Sequence, residues 1–401
     1  MSSHTELGDA FERFARVEAP DLDSPMYAEL AADVAKDDEL LALAAQRQRG
    51  QPAPNMLFGA AQYLLLGGVE HPLAAHYPIL SGPESPRRPA FPAFRAFCLE
   101  HREAVGELIA TRRTQTQVVR RCTCLLPAFG LVHREAAAPL ALVDVGASAG
   151  LNLNFDRYAC RYLRAGSEVL RWGRDGARVE LEADLRGPGT MPAPPPEIPI
   201  ASRDGIDVNP IDLADPDELI WLRALIWPEH VERHAQLVDA AAELKDSPIR
   251  LHRGDASRDL PHLLERVPAE AALVVYSTIT LYQIPREGRR RIRVALEARS
   301  RERPVWQVAL EGVHPPSLTL TRYRSGSGET ELLARASPHG WWIEWGATGG
   351  SLVEAVGIEP TSARLGARDR MISRRSHAPP GTRDSTPTAA SRGDNPRLAR
   401  G

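Results

Sequence analysis

Apolar positions in the first third of the chain repeat at helical spacing. Phe11, Phe14 and Val17 fall on one face of a helix, and later apolar runs keep the same period of about 3.6 residues. One or two long helices are expected to follow, with an interruption near Pro127, because proline removes a helical hydrogen bond. The pattern therefore predicts a helical N-terminal region over residues 1–138.

The hydrophobic period changes at residue 140. The run LALVDV is short and apolar, as in a buried strand, and it leads into a glycine-rich turn. Further apolar runs alternate with helical segments, which predicts a mostly parallel sheet with helices on both faces. An insertion is expected at about 166–200, and three runs after residue 316 predict a closing antiparallel group. The expected fold is α/β, with a Rossmann-like domain over residues 139–346.

Charge and hydropathy limit the kinds of partner that this chain is expected to bind. Residues 351–401 hold nine arginines against five acids, so residues 1–350 carry a net charge of −7 within a total of −3. A mildly acidic body lacks the basic face that a nucleic-acid backbone requires. No apolar run reaches the about 18 residues of a membrane span, and the charged N-terminus does not resemble a secretory signal. We therefore expect a cytoplasmic protein without nucleic-acid or membrane partners.

The four cysteines predict neither disulfides nor a metal site. Four cysteines in 401 residues are too few for a disulfide framework. Cys122 and Cys124 lie two residues apart on a predicted helix, where side chains at that spacing point in different directions. No metal is therefore expected.

The segment VDVGASAGLN is the first candidate for ligand binding. A glycine-rich turn between strand and helix lets the backbone approach a ligand, because glycine has no Cβ. The helix beyond it is expected to offer free N–H groups and a positive dipole end. The candidate cofactor-binding residues of this segment are Asp144, Gly146, Ala147, Ser148, Gly150 and Asn152. A strand–helix turn with no ligand is the alternative interpretation.

Two acidic positions further along are candidates for the same site. Asp207, in GIDVNP, stands where nucleotide-binding Rossmann folds carry an acid at the end of the second strand, and Asn209 follows it. Asp207 is about 57 residues beyond Gly150 instead of about 20, an excess that the insertion explains. Asp255 and Ala256, in RGDA, end another predicted strand. Each aspartate could instead cap a turn.

A predicted strand near residue 275 supplies the candidate substrate pocket. Ligands bind at the carboxyl edge of open α/β sheets, and this strand ends in YSTITLY. Tyr276, Ser277 and Tyr282 are therefore candidates to line a pocket for a small-molecule substrate. Packing inside the protein is the alternative for the two tyrosines.

The three motifs together resemble class I S-adenosylmethionine-dependent methyltransferases. The first motif of that family is an acid followed by Gly-x-Gly-x-Gly, and in this chain Ser148 replaces the middle glycine. The resemblance implies S-adenosylmethionine as cofactor, a ribose contact for Asp207 and an adenine contact for Asp255. The implied reaction is methyl transfer to a small or medium-sized acceptor. No residue is assigned as catalytic, and the oligomeric state stays open.

Three other functions compete with methyl transfer. The segment GASAG also spells the G-x-S-x-G elbow of α/β-hydrolases, with Ser148 as nucleophile and His314 or His339 as base. The helical N-terminal region leaves no place for the strands that normally precede such an elbow. A dehydrogenase would carry G-x-G-x-x-G, which this turn does not match. A non-catalytic protein that binds a nucleotide-like ligand on the same scaffold is the fourth hypothesis.

Several phrases resemble an uncharacterised bacterial family, domain of unknown function 2332. They are HPLAAHYP, TQTQVVRRC, DVGASAGLNLNFDRY, GIDVNPIDL, WLRALIWPE and RGDA, and the resemblance spans about residues 8–346. The family looks methyltransferase-like by its Rossmann pattern. In its pattern Asn-Glu stands where this chain has Gln117-Val118, and His stands where it has Tyr276. This member is therefore expected to differ in any chemistry that those polar groups serve.

Residues 347–401 differ in composition from the rest of the chain. They are rich in Arg, Ser, Pro and Thr with almost no apolar periodicity, so we expect a disordered tail or a spurious translation. A chain that ends at Gly350 should therefore unfold at the same temperature as the full chain, because so few apolar groups cannot offset the entropy of ordering. Thermal unfolding of both chains measures this, and a large drop on truncation would show that the tail packs.

Overall fold

The apolar runs from Leu140 onward form the strands of one sheet. The computed structural model describes residues 2–82, 89–312 and 315–346, so the expected tail at 347–401 lies outside the described residues. In the described part the strands are β1 Leu140–Val145, β2 Ala159–Arg164, β3 Ser167–Trp172, β4 Glu180–Arg186, β5 Ile200–Asp207, β6 Arg250–Arg253, β7 Ala272–Thr278, β8 Val305–Glu311, β9 Ser317–Arg324, β10 Ser327–Ala336 and β11 Trp342–Trp345.

The order of the strands is that of a Rossmann-like sheet with an extension. Across the described sheet the order is β3-β2-β4-β11-β10-β9-β8-β7-β1-β5-β6. The strands β6, β5, β1, β7 and β8 pair in parallel, and β8 to β11 pair antiparallel. If the five parallel strands are numbered by their order along the chain, their order across the sheet is 3-2-1-4-5. This order places the topological switch point between β1 and β7. The predicted fold class is confirmed.

The insertion between β1 and β5 extends the sheet at its far end. β2 and β4 pair in parallel, β4 pairs with β11, and β3 forms the edge. The prediction of a regular helix after the glycine turn is wrong. A short 3₁₀ helix, Leu151–Arg157, stands there instead and leads directly into β2. Asn154 departs from helical geometry there, and its Nδ2 donates to the carbonyl of Ser247 at 2.9 Å. This buried bond favours the irregular backbone over a regular helix.

Helices cover the sheet and form the N-terminal region. They are α1 Ser2–Arg13, α2 Ala19–Asp21, α3 Pro25–Val34, α4 Asp38–Ala44, α5 Ala53–Leu66, α6 Pro78–Ser81, α7 Phe91–Glu100, α8 Arg102–Thr111, α9 Cys122–Ala136, α10 Pro216–Ala224, α11 Val231–Glu243, α12 Ala256–Glu265 and α13 Arg286–Arg299. A π-helical turn spans Phe14–Glu18, and further 3₁₀ helices span Pro72–His76, Val119–Arg121 and Leu281–Gln283. Within the described residues no helix is long and apolar enough to cross a bilayer.

The interruption expected at Pro127 is wrong, because Pro127 lies inside α9. A proline inside a helix leaves the carbonyl four residues earlier without its N–H partner. That carbonyl belongs to Thr123, and the hydroxyl of Tyr162 on β2 donates to it at 2.7 Å. The orphaned acceptor is thus satisfied from the insertion, and the helix continues.

The two faces of β1 build two different cores. Leu140 and Leu142 pack on the α9 side, while Ala141, Val143 and Val145 pack against α12 and α13. Side chains alternate along a strand, so the next position of the α9 face is the buried carboxylate of Asp144. A third core lies within the N-terminal helices and includes side chains of α10.

A buried glutamine joins the N-terminal helices to the end of α10. Gln62 of α5 is fully buried, and its Nε2 donates to the carbonyls of Ile226 at 2.6 Å and Arg223 at 3.2 Å. Its Oε1 accepts a hydrogen bond from the hydroxyl of Tyr27 at 3.1 Å. Carbonyls at the end of a helix lack helical partners. The carbonyl of Arg223 also accepts from the N–H of Ile226, whereas the carbonyl of Ile226 receives its hydrogen bond from Gln62.

Replacing Gln62 should therefore lower the free energy of unfolding more than replacing an exposed glutamine with similar hydrogen bonds. Gln62→Met keeps the volume but leaves the buried carbonyl of Ile226 without its donor and the Tyr27 hydroxyl without its acceptor, so we expect a loss of about 2 kcal/mol or more in the free energy of unfolding. Gln48→Met is the matched control, because Gln48 bonds the terminal carbonyls of Ala110 and Thr111 in an exposed place. Water can replace those bonds, so the control should lose less than about 0.5 kcal/mol. Urea unfolding measures both; equal losses would contradict the assignment.

Candidate functional site

The turn after β1 has the backbone conformation that its glycines predict. Gly146, Ser148 and Gly150 have positive φ angles of 80°, 55° and 72°. A Cβ added at Gly146 would overlap the side chain of Thr280, and one added at Gly150 would overlap that of Ile249. The close approach that was expected for a ligand is thus made here by the protein's own side chains.

Every backbone N–H of this turn already has an acceptor. Gly146 and Ala147 donate to the carbonyl of Ile206, and Gly150 donates to the carbonyl of Ala147. The N–H of Ser148 donates to Asp207 Oδ2 at 2.8 Å. The N–H of Ala149 donates to Gln117 Oε1 at 3.1 Å. The turn is therefore fully satisfied without a ligand, as a buried backbone must be.

Asp207 is brought directly to the glycine turn, although 59 residues separate it from Ser148. Its Oδ1 accepts from the N–H of Asn209 at 2.8 Å and, more weakly, from Gln115 Nε2 at 3.5 Å. The side chain is half-buried at the carboxyl end of β5. Asp207 thus caps the turn to Asn209 and also holds the glycine turn, and its contact with a ribose stays a prediction.

Asp144 and Tyr276 lie side by side beneath the turn. They are directly opposite on the paired strands β1 and β7, and both are buried. Asp144 Oδ1 and the Tyr276 hydroxyl have no partner in hydrogen-bond geometry among the described residues. Burial raises the pKa of Asp144 to about 7, although the nearby Tyr276 hydroxyl and Arg121 lower it. Tyr276 is thus buried below the turn and does not line an open pocket.

The remaining predicted residues are spread around the same edge. Asp255 caps α12 by accepting from the N–H of Ser257 at 2.9 Å, and this contact lowers its pKa. Asn152 lies in the core, where its Oδ1 contacts the Cys122 thiol at 3.5 Å. Tyr282 is exposed on its 3₁₀ helix. Two further predicted residues are buried: Ala256 at the start of α12 and Ser277 near the end of β7.

A segment of the N-terminal region reaches over this edge, and the sequence motifs of the Rossmann domain did not predict it. Residues 112–118 connect α8 to the 3₁₀ helix Val119–Arg121 without regular structure. Gln115 exchanges hydrogen bonds with Asn209, donating to its carbonyl at 2.8 Å and accepting from its Nδ2 at 3.0 Å. Gln117 holds the turn through Ala149. Both glutamines belong to the phrase TQTQVVRRC, but the sequence pattern did not predict that this segment lies at the glycine turn.

Ser148 lacks the partners of a serine nucleophile. Its hydroxyl is buried and has no hydrogen-bond partner among the described residues. A serine nucleophile needs a base within hydrogen-bond reach. Nδ1 of His339 is itself buried without a partner, and His314 lies outside the described residues. The four cysteines are free, and the described residues contain no cluster of metal-ligating side chains.

The fold and the site together define a Rossmann-like α/β protein with a covered glycine turn at its switch point. The chain belongs to a bacterial family described as "Uncharacterized protein conserved in bacteria" (DUF2332), whose model matches residues 8–345. The resemblance to domain of unknown function 2332 is therefore confirmed. No curated protein and no solved structure matches the chain.

The buried Asp144 predicts a distinctive dependence of stability on pH. Its pKa in the folded protein, about 7, exceeds the ordinary value near 4, so the folded state binds this proton more tightly than the unfolded chain. Stability is therefore lost as the pH rises from about 4 through 7. Relative to Asp144→Asn, the native chain should lose about 2 kcal/mol or more between pH 5 and pH 8, at ~1.4 kcal/mol per pKa unit.

Asp255→Asn is the control for this measurement. The pKa of Asp255 is lowered, so its contribution to stability is lost as the pH falls, which is the opposite sign. Urea unfolding of the three proteins at both pH values gives the comparison. The prediction is wrong if the Asp144→Asn difference does not grow toward pH 8.

Proposed function

We propose that the chain is an S-adenosylmethionine-dependent methyltransferase that acts on a small or medium-sized acceptor. The observation that carries the proposal is the 2.8 Å bond between the N–H of Ser148 and the carboxylate of Asp207. It joins two motifs of that enzyme class at the carboxyl ends of adjacent parallel strands, next to the switch point where open α/β sheets bind ligands.

The carboxylate of Asp207 has capacity left for a ribose. A carboxylate offers about four acceptor positions, and the two backbone N–H bonds occupy only part of them. The contact with Gln115 Nε2, at 3.5 Å, is the longest of the three and the one that a ribose hydroxyl would replace. Asp207 is itself half-buried, so a ligand would approach its carboxylate from the exposed side of that residue. These residues therefore fit a nucleoside.

The same geometry favours a nucleoside over a dinucleotide. Rossmann dehydrogenases hold a pyrophosphate on free N–H groups at the start of a helix. Here every N–H from Gly146 to Gly150 is already bonded within the protein, and a 3₁₀ helix of seven residues replaces the expected helix. S-adenosylmethionine carries no phosphate and needs no such N–H groups. The arrangement thus supports the methyl donor against NAD and NADP.

Little acid–base chemistry is required of the chain. The bound cofactor would supply a methyl group already activated on a sulfonium, so the protein has mainly to orient donor and acceptor and to exclude water. Asp207 and Asn209 would hold the ribose side, and residues 112–118 cover the edge. Asp144 lies directly below the turn, buried opposite Tyr276. We assign no catalytic base.

Binding of S-adenosylhomocysteine, the product form of the cofactor, tests the proposal. Titration calorimetry of the purified chain should show binding of S-adenosylhomocysteine and none of NAD or NADP. Asp207→Asn should weaken that binding ten- to a hundredfold, since a charge-assisted bond is worth about 1.5–3 kcal/mol. Asp212→Asn is the matched control, because Asp212 caps an exposed turn by accepting from the N–H of Ala214 at 2.9 Å.

The control variant should bind S-adenosylhomocysteine like the native chain. Binding of NAD in place of S-adenosylhomocysteine would contradict the proposal. Equal binding by Asp207→Asn and Asp212→Asn would reduce Asp207 to a turn cap.

A further inference from the structure

Three arginines gather beside the switch point. Arg120 and Arg121 are buried on the 3₁₀ helix Val119–Arg121, and Arg233 comes from α11. Arg121 donates through Nε to the carbonyl of Pro338 at 2.8 Å and through Nη1 to the carbonyl of Thr278 at 3.1 Å. Thr278 is the last residue of β7, so a cationic group stands at the carboxyl end of the strand that borders β1.

The positive charge of this cluster is only partly balanced. Arg120 forms an ion pair with Glu232 at 2.6 Å. Among residues 2–82, 89–312 and 315–346, no carboxylate lies within 4 Å of Arg121 or Arg233. Burial lowers the pKa of Arg121 to about 10, and burial together with the neighbouring guanidinium groups lowers that of Arg233 to about 9. The buried Arg121 and the half-buried Arg233 thus repel each other without an ion-pair partner among the described residues, although the buried Glu311 carboxylate attracts Arg121 from a longer distance.

The histidine nearest to Arg233 does not supply a charge of either sign. His230 Nε2 lies 2.7 Å from the carbonyl of Leu22, so this nitrogen carries the hydrogen. Nδ1 is then the acceptor for Arg233 Nη1, at 2.9 Å. Burial, reinforced by Arg233, lowers the pKa of His230 to about 4, which keeps the ring neutral. His339, in the same field, likewise has a pKa lowered to about 2, mainly by burial.

A small cavity lies beside Arg120 and Arg233 and is bordered by Gln117, which contacts the glycine turn. Its volume is about 10 Å³, which is room for one water-sized atom group. Gln117 belongs to both places, since it lines the cavity and bonds the N–H of Ala149 in the turn. One oxygen of an anion would fill the cavity, while the rest of the molecule would lie toward the turn. The cavity is lined by Gln117, Val118, Val119, Arg120, Arg233 and Gln236.

A buried charge without a partner destabilises a protein, and such groups persist where a ligand supplies the partner. We propose that Arg233, with Arg121 adding positive charge nearby, binds an anionic group, a carboxylate or a phosphate, carried by the methyl acceptor. Guanidinium groups suit both, because their planar N–H donors match the oxygens of either anion. Only the assignment to the acceptor rests on the proposed methyl transfer; the anion site itself does not.

The site predicts an unusual response of stability to anions. In sodium chloride, Arg233→Gln should unfold at the same or a higher temperature than the native chain, because a half-buried charge without an ion-pair partner is removed. At equal ionic strength, sodium phosphate or sodium malonate should raise the midpoint of the native chain to a plateau and leave Arg233→Gln unchanged. A plateau with phosphate indicates a phosphorylated acceptor, and one with malonate a carboxylate acceptor.

Two further variants control this experiment. Arg290→Gln removes one exposed arginine of α13 and should respond to the anions like the native chain. Arg233→Lys keeps the charge and should recover part of the response. S-adenosylhomocysteine should bind the native chain and Arg233→Gln equally, so loss of the anion response with this binding intact separates the two proposals.

Several results would overturn the inference. A native chain without a plateau, or an equal plateau in Arg233→Gln, would show that no anion site exists. A lower midpoint for Arg233→Gln in chloride would show that the arginine is structural. If Arg233→Gln bound S-adenosylhomocysteine at least tenfold more weakly, the anion would be the cofactor's own carboxylate and not a group of the acceptor.

Discussion

The need to satisfy five consecutive N–H groups in a buried turn organises this edge of the molecule. Their acceptors come from β5, from the turn itself and from residues 112–118, three parts far apart in sequence. A buried N–H without a partner costs about 1–3 kcal/mol, so none of these parts can move away alone. The helical N-terminal region is thus tied to the Rossmann-like sheet where the topology places a ligand. That constraint leaves Asp207 at the rim, bonded on one side and half-exposed.

The same edge concentrates groups that weaken the fold. Asp144 is held with a pKa near neutrality, and neither the buried Arg121 nor the half-buried Arg233 has a carboxylate within 4 Å among the described residues. Natural proteins keep such conflicts mainly at sites of function, where pKa values are most strongly displaced. Arg121 also acts on the Asp144 carboxyl, whose pKa it lowers. An anion bound at the arginines would weaken this lowering of the Asp144 pKa. The proposed anion site and the glycine turn above Asp144 are therefore electrostatically coupled.

Much of the fold follows from periodicity, whereas its local exceptions do not. The runs that predicted β1, β7 and β8 are strands because each is short, apolar and buried on both faces. Pro127 misled the prediction, since the hydroxyl of Tyr162 replaces the lost hydrogen-bond donor from across the core. The 3₁₀ helix after the turn was missed for a similar reason, because the bond from Asn154 to Ser247 is a tertiary contact. Both exceptions depend on partners that no local pattern contains.

The sequence by itself determined the glycine turn, the acid at the end of β5 and the alternation of strands and helices. These depend on backbone freedom, side-chain period and strand ends, which are local properties. Only the tertiary structure decided what surrounds the turn. It placed Gln115 and Gln117 over the edge and Arg121 and Arg233 beside it, from segments more than 100 residues apart. Charge balance and hydrogen-bond satisfaction are settled by neighbours in space, and those neighbours are known only once the chain has folded.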